Sequence, residues 1–204
     1  MTTEPEAPRT SGASASKDPT SDDTRKKRIA TTSLAGCFGC HMSILDIDER
    51  ILELAELVDF DRSPIDDIKH ISQRCDVGLI EGGCCNEENV ETLREFRRNC
   101  DVVISLGDCA TMGGIPALRN LVPLDECLEE AYRSGPSVHN PSGRIPDDPE
   151  IPLLLDRVYP CHEVVKIDYH LPGCPPSAET IWQALTALLE GRPAELPYEL
   201  IKYE

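Results

Sequence analysis

Short apolar runs alternate with amphipathic stretches along most of the chain. Arg28–Leu34 is rich in β-branched residues and gives way to Gly36. Cys75–Ile80 (C-D-V-G-L-I) ends at Glu81-Gly82-Gly83, Asp101–Leu106 (D-V-V-I-S-L) ends at Gly107, and Val164–Leu171 ends shortly before Gly173. Continuous apolar runs of this length, closed by glycine, predict four buried strands. Between them the apolar period is helical. Ile44, Ile47, Ile51, Leu54, Ala55 and Val58 predict one helix over Met42–Val58, and Val90, Leu93 and Phe96 predict a charged helix over Glu87–Arg98. Ile115–Leu121 and Leu124–Arg133 read as short helices around Pro123. A last helix runs through Ile181, Trp182, Leu185, Leu188 and Leu189, with Pro176 in its first turn and Gly191 at its end. Strands alternating with helices predict an α/β domain whose parallel sheet is covered on both faces.

Residues 1–27 offer almost nothing to bury and are expected to form a disordered tail, leaving 28–204 as one domain. Gly135–Pro152 carries five prolines and reads as a long surface loop. No apolar run has the length of a secretory signal core or a membrane span, so the expected location is the cytoplasm. The formal net charge is −17. Residues 1–28 hold six basic and five acidic side chains, so the remainder carries about −18. Such a surface argues against nucleic acid, whose phosphates need Lys and Arg.

Ten cysteines are too few for a disulfide scaffold and too many to pass over in a reducing compartment. Four of them sit in glycine-rich turns just after predicted strands: Cys37 and Cys40 in G-C-F-G-C-H, Cys109 in G-D-C-A-T-M-G-G, and Cys174 in P-G-C-P-P-S. Strand ends on one edge of a parallel sheet meet. Four thiolates there would suit a [4Fe–4S] cluster, and Gly36, Gly107 and Gly173 would let backbone approach a bulky ligand. Two other readings stay open. Cys37 and Cys40 alone, between a strand and a helix, suit a thiol–disulfide oxidoreductase, but that leaves Cys109 and Cys174 without a role. A structural zinc site in an interaction protein usually brings two close pairs of ligands, and this chain has one. Phosphate-binding loops of the G-x-x-x-x-G-K-[ST] and G-x-G-x-x-G types are absent.

Among the remaining residues, Glu81 precedes two glycines at the same edge and is expected to be buried, accepting backbone N–H bonds that orient a loop. His41 reads as an exposed first-turn residue. Cys75, Cys100 and Cys127 read as core, Cys84 and Cys85 as packing residues near the site with a redox-sensing role as the alternative, and Cys161-His162 as the approach to the fourth strand, flanking a path for electrons out of the site.

C-F-G-C, E-G-G, G-D-C-A-T-M-G-G-I-P and L-P-G-C-P-P-S-A-E fall in that order after successive strands. With these segments the chain resembles the small subunit of [NiFe] hydrogenases, in the short cytoplasmic form of NAD-reducing (bidirectional) enzymes. The resemblance spans Arg28 to about Leu189. It implies a flavodoxin-like domain, one proximal [4Fe–4S] cluster on Cys37, Cys40, Cys109 and Cys174, and no bond-breaking by this chain itself. It also implies a large subunit holding the Ni–Fe centre, and diaphorase subunits holding FMN and using NAD. Longer hydrogenase small subunits continue into a domain with two further clusters, so one cluster is the expectation here. The related respiratory complex I subunit shares G-C-P-P but places two adjacent cysteines after its first strand.

Overall fold

The computed structural model describes residues 25–201. The expected tail lies outside them up to residue 24, and order is already established at Arg25, which pairs with Asp76 at 2.9 Å. Five strands form one parallel sheet: β1 (Lys27–Ser33), β2 (Val58–Phe60), β3 (Cys75–Glu81), β5 (Cys100–Leu106) and β7 (Tyr169–Leu171), in the order β2-β1-β3-β5-β7. This is the flavodoxin-like order. It reverses between β1 and β3, where chains leave the sheet in opposite directions and open a crevice beyond the strand ends. A separate antiparallel pair joins β4 (Cys84–Asn86) to β6 (Leu154–Tyr159).

Alternation along each strand divides the core. Ile29, Val77, Leu79, Ile104 and Leu106 face one side, where α1 (Gly39–Leu45), α2 (Arg50–Leu57) and α6 (Ala178–Leu189) supply Ile44, Leu54, Ile181 and Leu185. Ala30, Ile80 and Val103 face the other, packed by Leu93 and Phe96 of α3 (Glu87–Asn99) and by Ala110 of α4 (Gly107–Met112). The caps follow the sequence. Asn86 Oδ1 accepts from Asn89 N at 2.8 Å, and Ser177 Oγ accepts from Thr180 N at 3.2 Å.

Several expectations change. The helix expected over Met42–Val58 is two helices, because α1 stops at Leu45 and the turn that follows passes through Asp48 with a left-handed φ of 55°. Val58 belongs to the edge strand β2. The fourth strand shrinks to Tyr169–Leu171; Cys161–Glu163 is a 3-10 turn, and Val164 and Val165 pack without pairing. Pro176 lies before the Ser177 cap rather than inside the last helix. Cys75 and Cys100 are buried and face each other across β3 and β5, as expected, but Cys127 is only half-buried.

Asp168 ties the far edge of the sheet. Its carboxylate accepts from Arg97 at 2.6 Å and from Val103 N at 2.9 Å. Burial alone would raise its pKa, but the bonds from Arg97, Val103 and Lys166 outweigh it and hold the carboxyl below its ordinary value. A depressed folded-state value means stability that is present above the unfolded pKa of about 4 and lost as pH falls through the folded one. Asp168→Asn is therefore expected to cost about 1–3 kcal/mol near neutral pH. Urea melts of the two proteins should converge as pH is lowered into the acid range. A constant gap would refute the charge-based account.

Candidate metal centre

The crevice beyond β1 and β3 collects the glycine turns. Cys37 arrives on the loop after β1 and Cys40 in the first turn of α1, Glu81 and Gly82 at the end of β3, Cys109 on α4 directly after β5, and Cys174 on the loop after β7. All four cysteines line a single cavity together with Gly36, Phe38, Glu81, Asp108, Gly173 and Pro175. Cys109, expected in a turn, lies in a six-residue helix whose first residue is Gly107.

The loops are sewn to one another through backbone. Ala35 and Gly83 exchange N–H···O bonds of 3.0 and 2.7 Å, joining the Cys37 loop to the turn after Glu81. Asp108 and Gly173 do the same for the other two cysteines: Asp108 N donates to Gly173 O at 3.0 Å, and Gly173 N donates to Asp108 Oδ1 at 2.7 Å. Gly107 sits under Cys40 with a φ of +83°, and a Cβ placed there would lie 2.3 Å from Cys40 Sγ. The thiols are close enough to disfavour one another's ionisation. Burial pushes the Cys40 thiol far up, with the Glu81 charge and the other three cysteines adding to the effect. Burial also raises Cys109, against a bond from Ile115 N–H.

Glu81 is 2 % exposed. Its carboxylate accepts from Ser33 Oγ at 2.6 Å and from His41 N at 2.9 Å, so it anchors the first turn of α1, as its place before two glycines suggests. Burial would raise its pKa, but the interactions with His41 and Ser33 prevail and lower it. His41 departs from expectation, since it is fully buried. Its ring stacks on Phe38 at 4.6 Å, and its Nε2 lies 3.1 Å from Thr31 Oγ1. Its Nδ1 is 3.1 Å from Glu81 Oε2 but lies off the direction of a hydrogen bond, leaving a close polar contact. Phe38 holds a left-handed φ of 67° between the two cysteines, and the stacked ring braces it. A fully buried histidine in C-F-G-C-H carries no sequence signature beyond its place after the second cysteine.

Cys84 and Cys161 lie behind the Gly82-Gly83 turn, both fully buried. Burial raises their thiols to about 11 and about 12 respectively, and Cys161 Sγ donates to Gly82 O at 3.5 Å. Cys161 is thus packed inside rather than lining a way out. A larger open hollow lies away from the crevice, among Arg62, Lys69, Glu88, Glu91 and Arg94. It holds no cysteine, and Arg62 is already paired with Glu95 at 2.5 Å, so it is a solvated charged groove.

The donor set suits an iron–sulfur cluster. Four soft thiol donors surround one cavity, and among the described residues no three His, Cys, Asp or Glu side chains converge on a single-ion position. A thiol–disulfide oxidoreductase working through Cys37 and Cys40 would leave Cys109 and Cys174, which line the same cavity, without a role.

A family model described as NADH ubiquinone oxidoreductase, 20 Kd subunit, matches residues 37–188. The chain is 49% identical over 180 residues to the NAD-reducing hydrogenase HoxS subunit delta of Cupriavidus necator, covering 88% of this chain and 86% of that one. It is 44% identical over 178 residues to a subunit of the F420-non-reducing hydrogenase of Methanothermobacter thermautotrophicus, covering 84% of this chain and 56% of that relative. Among solved structures, an NAD+-reducing [NiFe]-hydrogenase in the H2-reduced state superposes with a TM-score of 0.85 at 53% identity, covering 88% of this chain and all of that one.

Proposed function

The chain belongs to the NADH ubiquinone oxidoreductase 20 Kd subunit family, and from that footing we propose that it is the electron-transferring small subunit of an NAD-reducing [NiFe] hydrogenase. The observation that carries the proposal is the meeting of four cysteines from three distant segments in one cavity, in a chain 49% identical to the delta subunit of such an enzyme. Cys37, Cys40, Cys109 and Cys174 would hold one [4Fe–4S] cluster, which supplies one-electron storage and transfer. A large subunit would hold the Ni–Fe centre, and diaphorase subunits would hold FMN and use NAD. The proposed place of work is the cytoplasm; among the described residues no helix is long and apolar enough to cross a membrane.

In this reading the chain's residues build a rigid socket. The Ala35–Gly83 and Asp108–Gly173 bond pairs fix the four thiols relative to the sheet before any ligand arrives. Glu81 and His41 hold the first turn of α1. Iron binding requires the thiols as thiolates; burial opposes that state at Cys40 and Cys109, so these two thiols would give up their protons on holding the cluster.

Iron and acid-labile sulfide analysis with low-temperature EPR of the reduced complex tests the proposal. About four irons per chain are expected. Cys109→Ala and Cys174→Ala should each abolish the EPR signal and most of the iron, whereas Cys75→Ala should keep both. Zinc without sulfide, or disulfide reductase activity that survives loss of Cys109, would overturn it.

A further inference from the structure

Three large aliphatic side chains stand in line on the outside of the 3-10 helix Ile115–Leu121. Ile115 is 69% exposed, Leu118 60% and Leu121 82%. Residues three apart eclipse in a 3-10 helix, so this spacing makes one continuous ridge. The other face of the turn is pinned. Asn120 exchanges hydrogen bonds with the Val158 backbone at 2.9 and 2.7 Å, and Arg119 donates twice to Leu155 O at 3.1 Å. The ridge is therefore presented rigidly on β6.

Beside it, the helix α5 (Leu124–Glu129) and the loop before β6 enclose a cleft of about 260 Å³ lined by Leu124, Leu128, Tyr132, Ile151 and Leu153. The segment around this apolar surface is acidic. Between Leu124 and Asp156 the sequence has eight carboxylates against two arginines. At its start the ridge adjoins the socket, because Gly114, the residue before Ile115, packs on Cys109 so closely that a Cβ there would lie 3.0 Å from its Sγ.

We propose that this ridge and cleft dock a different protein chain of the same assembly, one that presents an apolar groove bordered by Lys and Arg. Scattered exposed leucines are ordinary, but an aligned, rigid ridge beside an apolar cleft marks an interaction site. The charge selects the partner. A second copy of this chain would bring a net −17 of its own and set acidic rim against acidic rim, whereas a basic rim is attracted and oriented. The proposal rests on the reading of the chain as a hydrogenase subunit and names the surface that such a subunit uses.

The test uses the affinity-tagged chain purified with its assembly and weighed by native mass spectrometry across a salt series. Leu118→Glu places a charge on the ridge without touching the core, and Leu118→Ala and the iron content of the chain report on folding. Loss of a partner subunit from Leu118→Glu, an intermediate effect of Leu118→Ala, and earlier salt dissociation than wild type are expected. Because Gly114 at the start of the ridge packs on Cys109, release of that partner should also change the EPR g-values of the centre. An unchanged subunit complement in Leu118→Glu at every salt concentration would overturn the proposal. So would a homodimer that the variant abolishes. If the wild-type chain itself brings no partner subunit, the hydrogenase reading falls and this one with it.

Discussion

Gly107→Ala is expected to strip the iron and acid-labile sulfide from the purified assembly while leaving a folded sheet. Two effects combine at this position. The backbone is held at a φ of +83°, which a residue with a Cβ adopts only under strain. The new Cβ would also lie 2.3 Å from Cys40 Sγ and 3.4 Å from Gly173 O. The strain alone costs about 1–2 kcal/mol, a loss that a domain of this size tolerates. The clash is different in kind. It is relieved most cheaply by turning the Cys40 side chain, and that moves the sulfur from the cavity it lines. Gly143→Ala supplies the control, since its φ of +62° imposes comparable strain with nothing within 4 Å of the added carbon. Iron content, EPR and a urea melt of both variants separate the two effects. Gly143→Ala should shift only the melt, while Gly107→Ala should lose the signal. Full iron and an unchanged spectrum in Gly107→Ala would refute the close packing of sulfur on glycine.

The parts of this socket differ in how plainly they are written in the chain. The ends of β1, β3 and β5 are legible because an apolar run followed by glycine marks both the strand and the point where it stops. Those three ends carry three of the four cysteines of the cavity. The rest is hidden for local reasons. The break at Asp48 leaves the apolar period intact, because Ile47 is buried in the turn itself, so periodicity runs on through Val58 and conceals β2. The strands β4 and β6 are far apart in sequence, and the first has only three residues. Their pairing is a long-range event that no short window contains. Cys109 reads as a turn residue because Gly107 looks like a terminator, yet here a glycine with positive φ begins the helix. His41 cannot be read at all. Its burial depends on Thr31, Phe38 and Glu81 converging from separate elements, and polarity alone argues for exposure.

That convergence makes Glu81 the residue at which charge and geometry can be told apart. Glu81→Ala is expected to destabilise the chain by about 2–3 kcal/mol, from the buried His41 N–H and the half-buried Ser33 hydroxyl left without an acceptor, and to lose iron through disorder of the Cys37–Cys40 turn. Ser33 Oγ and His41 N both donate to a carboxylate that is 2 % exposed. Glu81→Gln keeps the shape and can keep both bonds. Its amide oxygen can accept from His41 N, and its amide nitrogen can donate to Ser33 Oγ, because a hydroxyl serves as donor or acceptor. What the glutamine lacks is the negative charge beside Cys40, a charge that now adds to the rise of that thiol's pKa. If Glu81 acts by positioning, Glu81→Gln should retain iron, sulfide and most of the stability, and shift the reduction potential of the centre upward as a nearby negative charge is removed. If it acts chiefly through its charge, the glutamine variant should fail as badly as the alanine one. Urea melts, metal content and a redox titration followed by EPR on the two variants decide between these. Equal loss of iron in both would discard the positioning role.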